Sequence, residues 1–352
     1  MNKTILVTGS GGLIGSETVR FYASKGFKVI GIDNDLRSFF FGPSASTSEN
    51  VKNLIDTFNV FYSHNSFDLR DYDKVQNIFK SYKFDLIVHT AAQPSHDWAA
   101  KNPRLDFDVN ANATLNLLEN YRSFCPEAVF IFTSTNKVYG DKPNFLDLNE
   151  YETRWDLKSN NVFFDGIDES MSIDQSVHSL FGVSKVSADL LVQEYGRYFG
   201  LATGVFRGGC LTGPVHASAE LHGFLAYVVK AVVSGQKYKI YGYKGKQVRD
   251  NIHSADVVEM FNYFFENPKQ NAVYNIGGGR SNSISVVEAL NKVAEISDID
   301  ANYEYIEKPR IGDHIWYVTN FSRFKKDFPA WKLKYSLNSI LNELVREISI
   351  RK

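Results

Sequence analysis

The chain has 352 residues, 43% of them hydrophobic, and its 39 lysines and arginines nearly balance 40 aspartates and glutamates for a formal net charge of −1. This length suits two domains better than one, and the apolar fraction is enough for a large core. The near-neutral balance, without a long run of one sign, argues against nucleic acid or an acidic membrane surface as a partner.

The cysteine content and the start of the chain bear on where the protein works. Cys125 and Cys210 are too few for a disulfide framework or a zinc site, so we expect a reducing cytoplasm and no metal. The first strand follows Met1 almost at once, which leaves no room for a signal peptide. No apolar stretch reaches the ~18 residues that a membrane helix needs.

The first motif in the chain is a glycine-rich turn between a strand and a helix. Residues 4–7 (TILV) form an apolar run that predicts a buried strand, and residues 16–25 have the apolar spacing of a helix. Glycines in such a turn let the backbone approach a pyrophosphate, which then sits at the positive end of the helix. The candidate contacts are Gly9, Gly12, Leu13, Ile14 and Gly15.

An acidic residue follows the second predicted strand, as a dinucleotide-binding motif requires. Asp33 ends the apolar run 28–32, about twenty residues after the glycine turn. Its carboxylate can accept hydrogen bonds from an adenosine ribose and repel a 2′-phosphate, which favours NAD over NADP. Arg37 acts against this preference, since a cation attracts that phosphate. The alternative is a glycine turn that only packs a helix on a strand.

Further strands and a long helix are predicted along the first half of the chain. Apolar runs at 58–62, 85–89 and 128–132 predict strands, and 107–121 predicts a helix. Small residues follow the strand 85–89, at the kind of strand end where open α/β sheets bind ligands. His89, the last residue of that strand, could act as a base or could pack in the core.

The glycine spacing within T-G-x-x-G-L-I-G resembles that of the extended short-chain dehydrogenases/reductases, the NAD-dependent epimerase/dehydratase family, which acts largely on nucleotide-sugars. The segment 110–119 (N-x-x-x-T-x-N-L-L-E) adds to this resemblance. Within the family, the chain is similar to the CDP-tyvelose (CDP-paratose) 2-epimerase group from about residue 4 to about residue 320. The segments that carry this likeness are 134–141 (STNKVYGD), 152–154 (ETR), 168–170 (DES), 178–185 (HSLFGVSK), 205–207 (VFR), 245–250 (GKQVRD) and 274–278 (YNIGG).

The resemblance implies a doubly wound parallel (Rossmann) sheet with helices on both faces and a smaller C-terminal substrate domain. Residues 1–205 would form the NAD-binding domain, with a returning segment near 240–260. Residues 206–352 would mainly bind substrate.

The resemblance also implies which residues hold the ligands. Besides the glycine turn and Asp33, the cofactor contacts would be Asn34, Asp68, Leu69, Ala91, Ala92, Gln93, Asn110, Thr133 and Lys185. Asp68 could instead cap a helix predicted at 71–82. The substrate contacts would be Gln93, Thr135, Asn136, Arg207, Arg249 and Arg310. An arginine's planar fork suits a diphosphate, although a surface ion pair is the alternative for the last two.

The catalytic positions of the family are kept only in part. Thr135 takes the place of the catalytic Ser/Thr, and Lys185 that of the lysine that activates the tyrosine and binds the nicotinamide ribose. Phe181 stands where the family has that tyrosine, its general base or acid. His178 lies one turn before Phe181 if the helix begins that early, so it could be the base or could be packed in a loop. Asn136 and the lysine after it replace the Asp-Glu pair typical of dehydratases.

The function implied is a nucleotide-sugar epimerase of carbohydrate biosynthesis, with tightly bound NAD, that oxidises and re-reduces one sugar carbon. The family habit implies a homodimer. Two alternatives fit the same residues. One is an NAD-dependent nucleotide-sugar oxidoreductase that releases NADH, and the other is a protein that binds both ligands without turnover because Phe181 lacks a hydroxyl.

Overall fold

The structure is a computed structural model that describes residues 3–215, 223–310 and 312–350. The chain forms two compact units. Unit 1 comprises Met1–Val138, Leu180–Arg207 and Val257–Tyr274, and unit 2 comprises Tyr139–Ser179, Gly208–Asp256 and Asn275–Lys352.

These units divide the chain differently from the boundaries expected at 205 and near 240–260. Residues 139–179 group with unit 2, and the segment that returns to unit 1 is Val257–Tyr274. Backbone pairing explains the first difference, because the Trp155 N–H donates to the Lys246 carbonyl at 2.9 Å and Ile167 forms a bridge with Thr319. The middle of the chain is therefore built into unit 2 and is not an appendage of the first domain.

Helices and strands alternate through the first half of the described chain. The α-helices are α1 (Leu13–Ser24), α2 (Leu36–Phe41), α3 (Ser48–Phe58), α4 (Tyr72–Ser81), α5 (His96–Lys101), α6 (Pro103–Phe107), α7 (Ala113–Phe124), α8 (Leu180–Phe199), α9 (Phe224–Val233), α10 (Ser254–Glu266), α11 (Val286–Ser297), α12 (Ser322–Asp327) and α13 (Leu337–Ile350). The strands are β1 (Thr4–Thr8), β2 (Lys28–Ile32), β3 (Tyr62–Asn65), β4 (Leu86–His89), β5 (Val129–Thr135), β6 (Leu148–Glu150), β7 (Trp155–Leu157), β8 (Ala202–Gly208), β9 (Cys210–Thr212), β10 (Tyr238–Tyr241), β11 (Val248–His253), β12 (Ala272–Ile276), β13 (Ser283–Ser285), β14 (Tyr303–Ile306) and β15 (Trp316–Tyr317).

The central sheet has the Rossmann arrangement predicted from the sequence. Its order is β12-β8-β5-β4-β1-β2-β3, and β1 pairs in parallel with both β2 and β4. The register sets Thr8 opposite Ile32 and His89, and it sets His89 opposite Phe132. The carboxyl ends of β1, β2, β4 and β5 therefore lie side by side at one edge of the sheet, where open α/β sheets bind ligands.

Each unit has its own apolar core. In unit 1, the sheet residues Leu6, Ile30 and Phe130 pack with α7 and α8 and are fully buried. In unit 2, α9, α11 and α13 pack together around residues such as Val229 and Leu341. Strands buried on both faces need continuous apolar runs, which is why the runs in the sequence located β1, β2, β4 and β5 correctly.

The helix predicted over 107–121 is interrupted. The α6 helix ends at Phe107, a π-helical turn covers Asp108–Asn112, and α7 continues from Ala113. Such turns are frequent at functional sites because the extra residue rotates one side chain out of the regular helical position. Here the turn contains Asn110, a predicted cofactor contact. Among residues 3–215, 223–310 and 312–350, the structure has no helix long and apolar enough to cross a membrane.

Candidate active site

The glycine turn between β1 and α1 is closed tightly enough to exclude larger residues. A Cβ on Gly15 would lie 2.0 Å from the Gly9 carbonyl oxygen, and a Cβ on Gly9 would lie 2.8 Å from the Ala91 nitrogen. Gly9 also has a φ of +66°, which favours glycine. Gly12 is the N-cap of α1 and supplies no side-chain cap, so the first turn of the helix, with Leu13 and Ile14, presents backbone N–H groups suited to an anion.

Asp33 fixes the loops around this turn. Its Oδ2 accepts from the Gly11 N–H at 2.9 Å, and its Oδ1 accepts from the Asp35 N–H at 2.8 Å and the Thr47 hydroxyl at 3.2 Å. A carboxylate has about four acceptor positions, so it can still receive a ribose hydroxyl. Asp33 therefore supports the glycine turn and follows the end of β2, and its contact with a ribose stays a prediction.

Asp68 has a different role from the predicted helix cap. The N-cap of α4 is Asp71, whose side chain accepts from the Lys74 N–H, so the capping alternative for Asp68 is wrong. The Asp68 carboxylate instead receives two hydrogen bonds from the Arg70 guanidinium, at 2.9 and 2.7 Å, and one from the Asn34 amide at 3.2 Å. Leu69, beside it, is buried in the unit 1 core.

His89 is a packing residue. Its Nδ1 is 2.7 Å from the Thr8 hydroxyl, and its Nε2 is 2.9 Å from the Thr114 hydroxyl. Burial lowers the pKa of His89 to about 3, with a smaller contribution from the Lys185 charge, so the imidazole is neutral. The alternative of His89 as a base is therefore wrong.

A buried polar network lies after β4, where Ala91, Ala92 and Gln93 were predicted to face the cofactor. The Gln93 amide donates to the Asp106 Oδ1 at 2.7 Å, and the Asn110 amide donates to Asp106, to the Gln93 carbonyl and to the Ser184 hydroxyl at 3.0–3.1 Å. Gln93, Asp106 and Asn110 are each at most 1% exposed. Burial raises the pKa of Asp106, opposed by hydrogen bonds from Ser184 and Gln93 and by the Lys185 charge. Nothing in the local sequence singles out Asp106.

The lysine of the predicted catalytic group lies in the core of unit 1. Lys185 is on α8, is 3% exposed, and donates from Nζ to the Thr133 carbonyl at 2.9 Å. Burial lowers the pKa of Lys185 to about 8, although the charges of Asp189 and Asp106 act in the other direction. The structure thus brings the Lys185 ammonium next to Thr133 of β5.

Thr135 and Asn136 lie at the end of the same strand. The Lys137 N–H donates to the Thr135 Oγ1 at 3.2 Å, and that hydroxyl donates to the Asn136 Oδ1 at 3.4 Å. Asn136 is 6% exposed. Phe181 is the second residue of α8, one turn before Lys185, and is also 6% exposed.

An imidazole contacts Phe181, but it is not the one predicted. The ring of His96, at the start of α5, is 5.0 Å from the Phe181 ring between centroids, at an interplanar angle of 65°. Sequence reasoning missed His96, although it lies three residues after Gln93 and so close to a strand end already assigned to the site.

His178 does not lie on the helix that its predicted role requires. The α8 helix begins at Leu180, two residues later. The His178 Nε2 is 2.8 Å from the Ile173 carbonyl oxygen and 3.1 Å from the Ser176 hydroxyl. A carbonyl can only accept, so this nitrogen carries the proton in that contact and is not a base. The condition on which His178 was proposed as a catalytic group is not met.

The three predicted substrate arginines lie in different settings. In unit 1, Arg207 is 5% exposed and pairs with Asp189 through two hydrogen bonds of 3.0 and 2.9 Å. In unit 2, Arg249 on β11 donates to Asp313 at 2.5 Å, to the Val248 carbonyl at 2.7 Å and to the His314 carbonyl. Arg310 lies shortly before Asp313, whose N–H donates to the Arg310 carbonyl at 3.3 Å. Arg207 thus forms a buried ion pair within the fold.

The amino-acid sequence is similar to those of nucleotide-sugar epimerases and dehydratases. The chain is 32% identical over 308 residues to CDP-paratose 2-epimerase from Salmonella typhi, covering 85% of this chain and 86% of that protein. It is 27% identical over 343 residues to a putative UDP-glucose 4-epimerase from Methanocaldococcus jannaschii, covering 97% of each. It is also 27% identical over 341 residues to dTDP-glucose 4,6-dehydratase from Escherichia coli, covering 92% of this chain and 87% of that one.

Solved structures show the same fold. UDP-glucuronic acid 4-epimerase from Bacillus cereus, in complex with UDP-glucuronic acid and NAD, superposes with a TM-score of 0.80 at 21% identity, covering 99% of this chain and all of that one. UDP-glucose 4-epimerase from Thermus thermophilus, in complex with NAD, has a TM-score of 0.78 at 24% identity and covers 98% of each. The model of the NAD dependent epimerase/dehydratase family matches residues 5–277. The chain therefore belongs to the NAD dependent epimerase/dehydratase family.

Proposed function

We propose that this protein is a nucleotide-sugar epimerase with tightly bound NAD, which inverts carbon 2 of a CDP-linked sugar. One observation carries the proposal: the 32% identity to CDP-paratose 2-epimerase extends over 85% of the chain. The site is consistent with it, since Thr135 at the end of β5 and Lys185 on α8 are both retained. Asn136 and Lys137 stand where a dehydratase has its acid and base, which argues against loss of water.

The residues of unit 1 fit a dinucleotide. Gly9 and Gly15 have no room for a Cβ, the N-terminus of α1 suits a pyrophosphate, and Asp33 lies at the end of the neighbouring strand. NAD, when bound, supplies the acceptor and donor of hydride. In this proposal Lys185 binds the nicotinamide ribose, and Thr135 orients the sugar oxygen. The remaining cofactor contacts proposed are Asn34, Asp68, Leu69, Ala91, Ala92, Gln93, Asn110 and Thr133.

Substrate recognition is also part of the proposal. Arg249 and Arg310 would contact the diphosphate, because a guanidinium offers several N–H donors to phosphate oxygens. Arg249 would do so with the N–H groups that it does not donate to Asp313 and to the Val248 and His314 carbonyls. Thr135 and Asn136 would contact the sugar. Gln93, the other predicted sugar contact, is fully buried, and its amide is bound to Ser95 and Asp106. Arg207, in its ion pair with Asp189, is the weakest of the predicted substrate contacts.

The assembly and location are also part of the proposal. We place the enzyme in carbohydrate biosynthesis in the cytoplasm, where the thiols of Cys125 and Cys210 would stay reduced. We propose a homodimer, the habit implied by the family resemblance.

One observation favours a second function. Phe181 provides no hydroxyl, so the protein could bind NAD and a nucleotide-sugar without turnover. A net oxidoreductase is the other alternative.

The test is to purify the protein without added cofactor, identify the dinucleotide that it releases on denaturation, and follow a CDP-sugar by NMR while recording NADH absorbance. We expect NAD to be released and the sugar to epimerise without NADH accumulating, because the hydride returns to the same sugar. NADH accumulation would indicate an oxidoreductase. Tight sugar binding without conversion would indicate the binding protein.

A further inference from the structure

Phe181 leaves the proposed reaction without the group that takes the hydroxyl proton of the sugar. We propose that His96 accepts this proton as the sugar carbon is oxidised and returns it when the carbon is reduced. This inference rests on the proposed function and names a residue of the same site.

Contact geometry places His96 at the phenylalanine. The two rings meet edge to face with 5.0 Å between centroids, a distance typical of packed aromatic pairs. Phe181 is on α8 one turn before Lys185, so His96, on α5, contacts α8 one turn from the predicted catalytic lysine. Imidazole is the side chain whose ordinary titration is nearest to neutral pH, where a general base is most effective.

The surrounding network holds His96 in place. The Gln93 Oε1 accepts from the Ser95 N–H at 2.5 Å, and the Gln93 amide donates to the Ser95 carbonyl at 2.9 Å. That amide also donates to the buried Asp106 at 2.7 Å. The residue directly before His96 is therefore fixed on both its backbone groups by a fully buried side chain. A proton acceptor that must stay within reach of one oxygen needs such support.

The other candidates in the described chain are less suited. The Lys185 Nζ donates to the Thr133 carbonyl, which fixes it against the strand. Thr135 can hydrogen-bond the sugar oxygen, but an aliphatic hydroxyl is too weak a base to take the proton. The His178 Nε2 donates to a backbone carbonyl, and that residue lies outside α8.

The proton balance of the step is simple. As the hydrogen on the sugar carbon leaves as hydride to the nicotinamide, the O–H bond of the hydroxyl group on that carbon breaks and a C=O bond forms. The released proton goes to an unprotonated ring nitrogen of His96, which becomes imidazolium. The keto sugar then turns, the hydride returns to its other face, and the imidazolium gives its proton back to the same oxygen. The carbon is inverted, and no other oxidant, reductant or base is consumed.

The test compares His96→Gln with the exposed neighbour Asp97→Asn, each in the wild-type and in the Phe181→Tyr background. We expect His96→Gln to lower kcat by about 100-fold or more, the usual contribution of a general base. We expect its Kd for the CDP-sugar and its content of bound NAD to stay at wild-type values. Asp97→Asn should behave as the wild type. In the Phe181→Tyr background, where a phenol is available, His96→Gln should cost far less.

A second measurement does not depend on the tyrosine variant folding. Added imidazole should restore part of the turnover of His96→Ala, because a free base can enter the space that the side chain leaves. Full turnover in His96→Gln, or an equal loss in both backgrounds without rescue by imidazole, would overturn the role of His96 and leave the proposed function intact. Absence of turnover in the wild type with every nucleotide-sugar would overturn both.

Discussion

Asp33 shows how one side chain can serve the fold and a ligand together. Its carboxylate accepts three protein hydrogen bonds, from the Gly11 and Asp35 N–H groups and the Thr47 hydroxyl. These bonds join the glycine turn of β1 to the segment after β2. The same carboxylate is the group proposed to bind the adenosine ribose and to repel a 2′-phosphate.

We therefore expect Asp33→Ala to weaken NAD binding and to shift the preference toward NADP. Loss of a charge-assisted hydrogen bond costs about 1.5–3 kcal/mol, or roughly ten- to hundredfold in affinity. Equilibrium dialysis of the NAD-free protein with each dinucleotide measures both effects. Asp56→Ala, at an exposed position on α3, is the control. An unchanged NAD:NADP ratio in Asp33→Ala would contradict the role of Asp33 in cofactor choice.

The site residues that the sequence predicts are those whose positions are set by a neighbouring strand or helix. The glycine turn, Asp33 and the i,i+4 pair Phe181 and Lys185 could be identified because a strand and a helix beside them fix their positions. Asp106 and His96 could not, since their contacts with Ser184 and Phe181 of α8 join residues more than seventy positions apart in the sequence. His178 was misplaced because no local signal shows that α8 begins at Leu180.

Among the elements, strands were easier to predict than interruptions. Fully buried strands of the central sheet have continuous apolar runs, and these runs located β1, β2, β4 and β5. The π-helical turn Asp108–Asn112 has no such pattern, because an extra residue in a helix leaves the apolar spacing almost unchanged. The short strands β6 and β7 have three residues each, too few for an apolar pattern to predict them, and tertiary contacts in unit 2 stabilise them.

Strand β8 and helix α8 are joined by a buried ion pair, from which a stability prediction follows. Arg207 and Asp189 are 6% and 1% exposed at their side chains, and Asp189 also accepts from the Ser134 hydroxyl at 2.6 Å. We expect Arg207→Leu to lower the free energy of unfolding by about 3–5 kcal/mol, because it leaves a buried carboxylate without its partner. Urea denaturation of the ligand-free protein measures this.

The matched control is the double variant Arg207→Leu with Asp189→Leu. It should recover part of the stability, since two apolar groups leave no unpaired charge. If Arg207 instead serves mainly to bind substrate, Arg207→Leu would keep its stability and lose affinity for the nucleotide-sugar.

Strand β11 carries a buried acid that should make the stability of unit 2 depend on pH. Asp250 is 1% exposed, and its Oδ2 accepts from the Gly279 N–H at 3.0 Å. Burial raises the pKa of Asp250 from 3.8 to about 6, against the effect of its hydrogen bonds. Between these two values the folded chain binds more protons than the unfolded chain, so this group's contribution to stability is greatest below the lower value and is lost as pH rises through the upper one.

We expect Asp250→Asn to remove this dependence. From acid to neutral pH, the wild type should lose about 3 kcal/mol of unfolding free energy relative to the variant. This value follows from 1.36 kcal/mol for each unit by which the pKa is raised. Urea denaturation of both proteins at a series of pH values measures this difference. The contributions of the other titrating groups are the same in both proteins and cancel. Parallel curves for the two proteins would show that folding does not raise the pKa of Asp250.

At the scale of the whole molecule, the balance of charge limits how a nucleotide-sugar can be held. With a formal net charge of −1, the protein has no overall field to attract a diphosphate, so recognition must come from local groups. The division into units could be predicted only approximately, because residues 139–179 and 257–274 each leave the part of the chain that surrounds them in sequence. The unit to which such a segment belongs depends on long-range backbone pairing, which short-range sequence patterns do not encode.

The identity of the ligand can be tested on the intact protein through its stability. A ligand that binds only the folded state raises the free energy of unfolding by about 2.7 kcal/mol at one hundred times its Kd. Among CDP-, UDP-, GDP- and dTDP-linked sugars at equal concentration, we expect the CDP-sugar to raise the melting temperature most, with free CDP as the control for the sugar part. In Arg249→Ala, the same CDP-sugar should raise the melting temperature of the variant much less, because the guanidinium is proposed to contact the diphosphate. The variant should still retain NAD. An equal or larger increase with a UDP-sugar would contradict the assignment of the base, and an unchanged increase in Arg249→Ala would contradict that of the arginine.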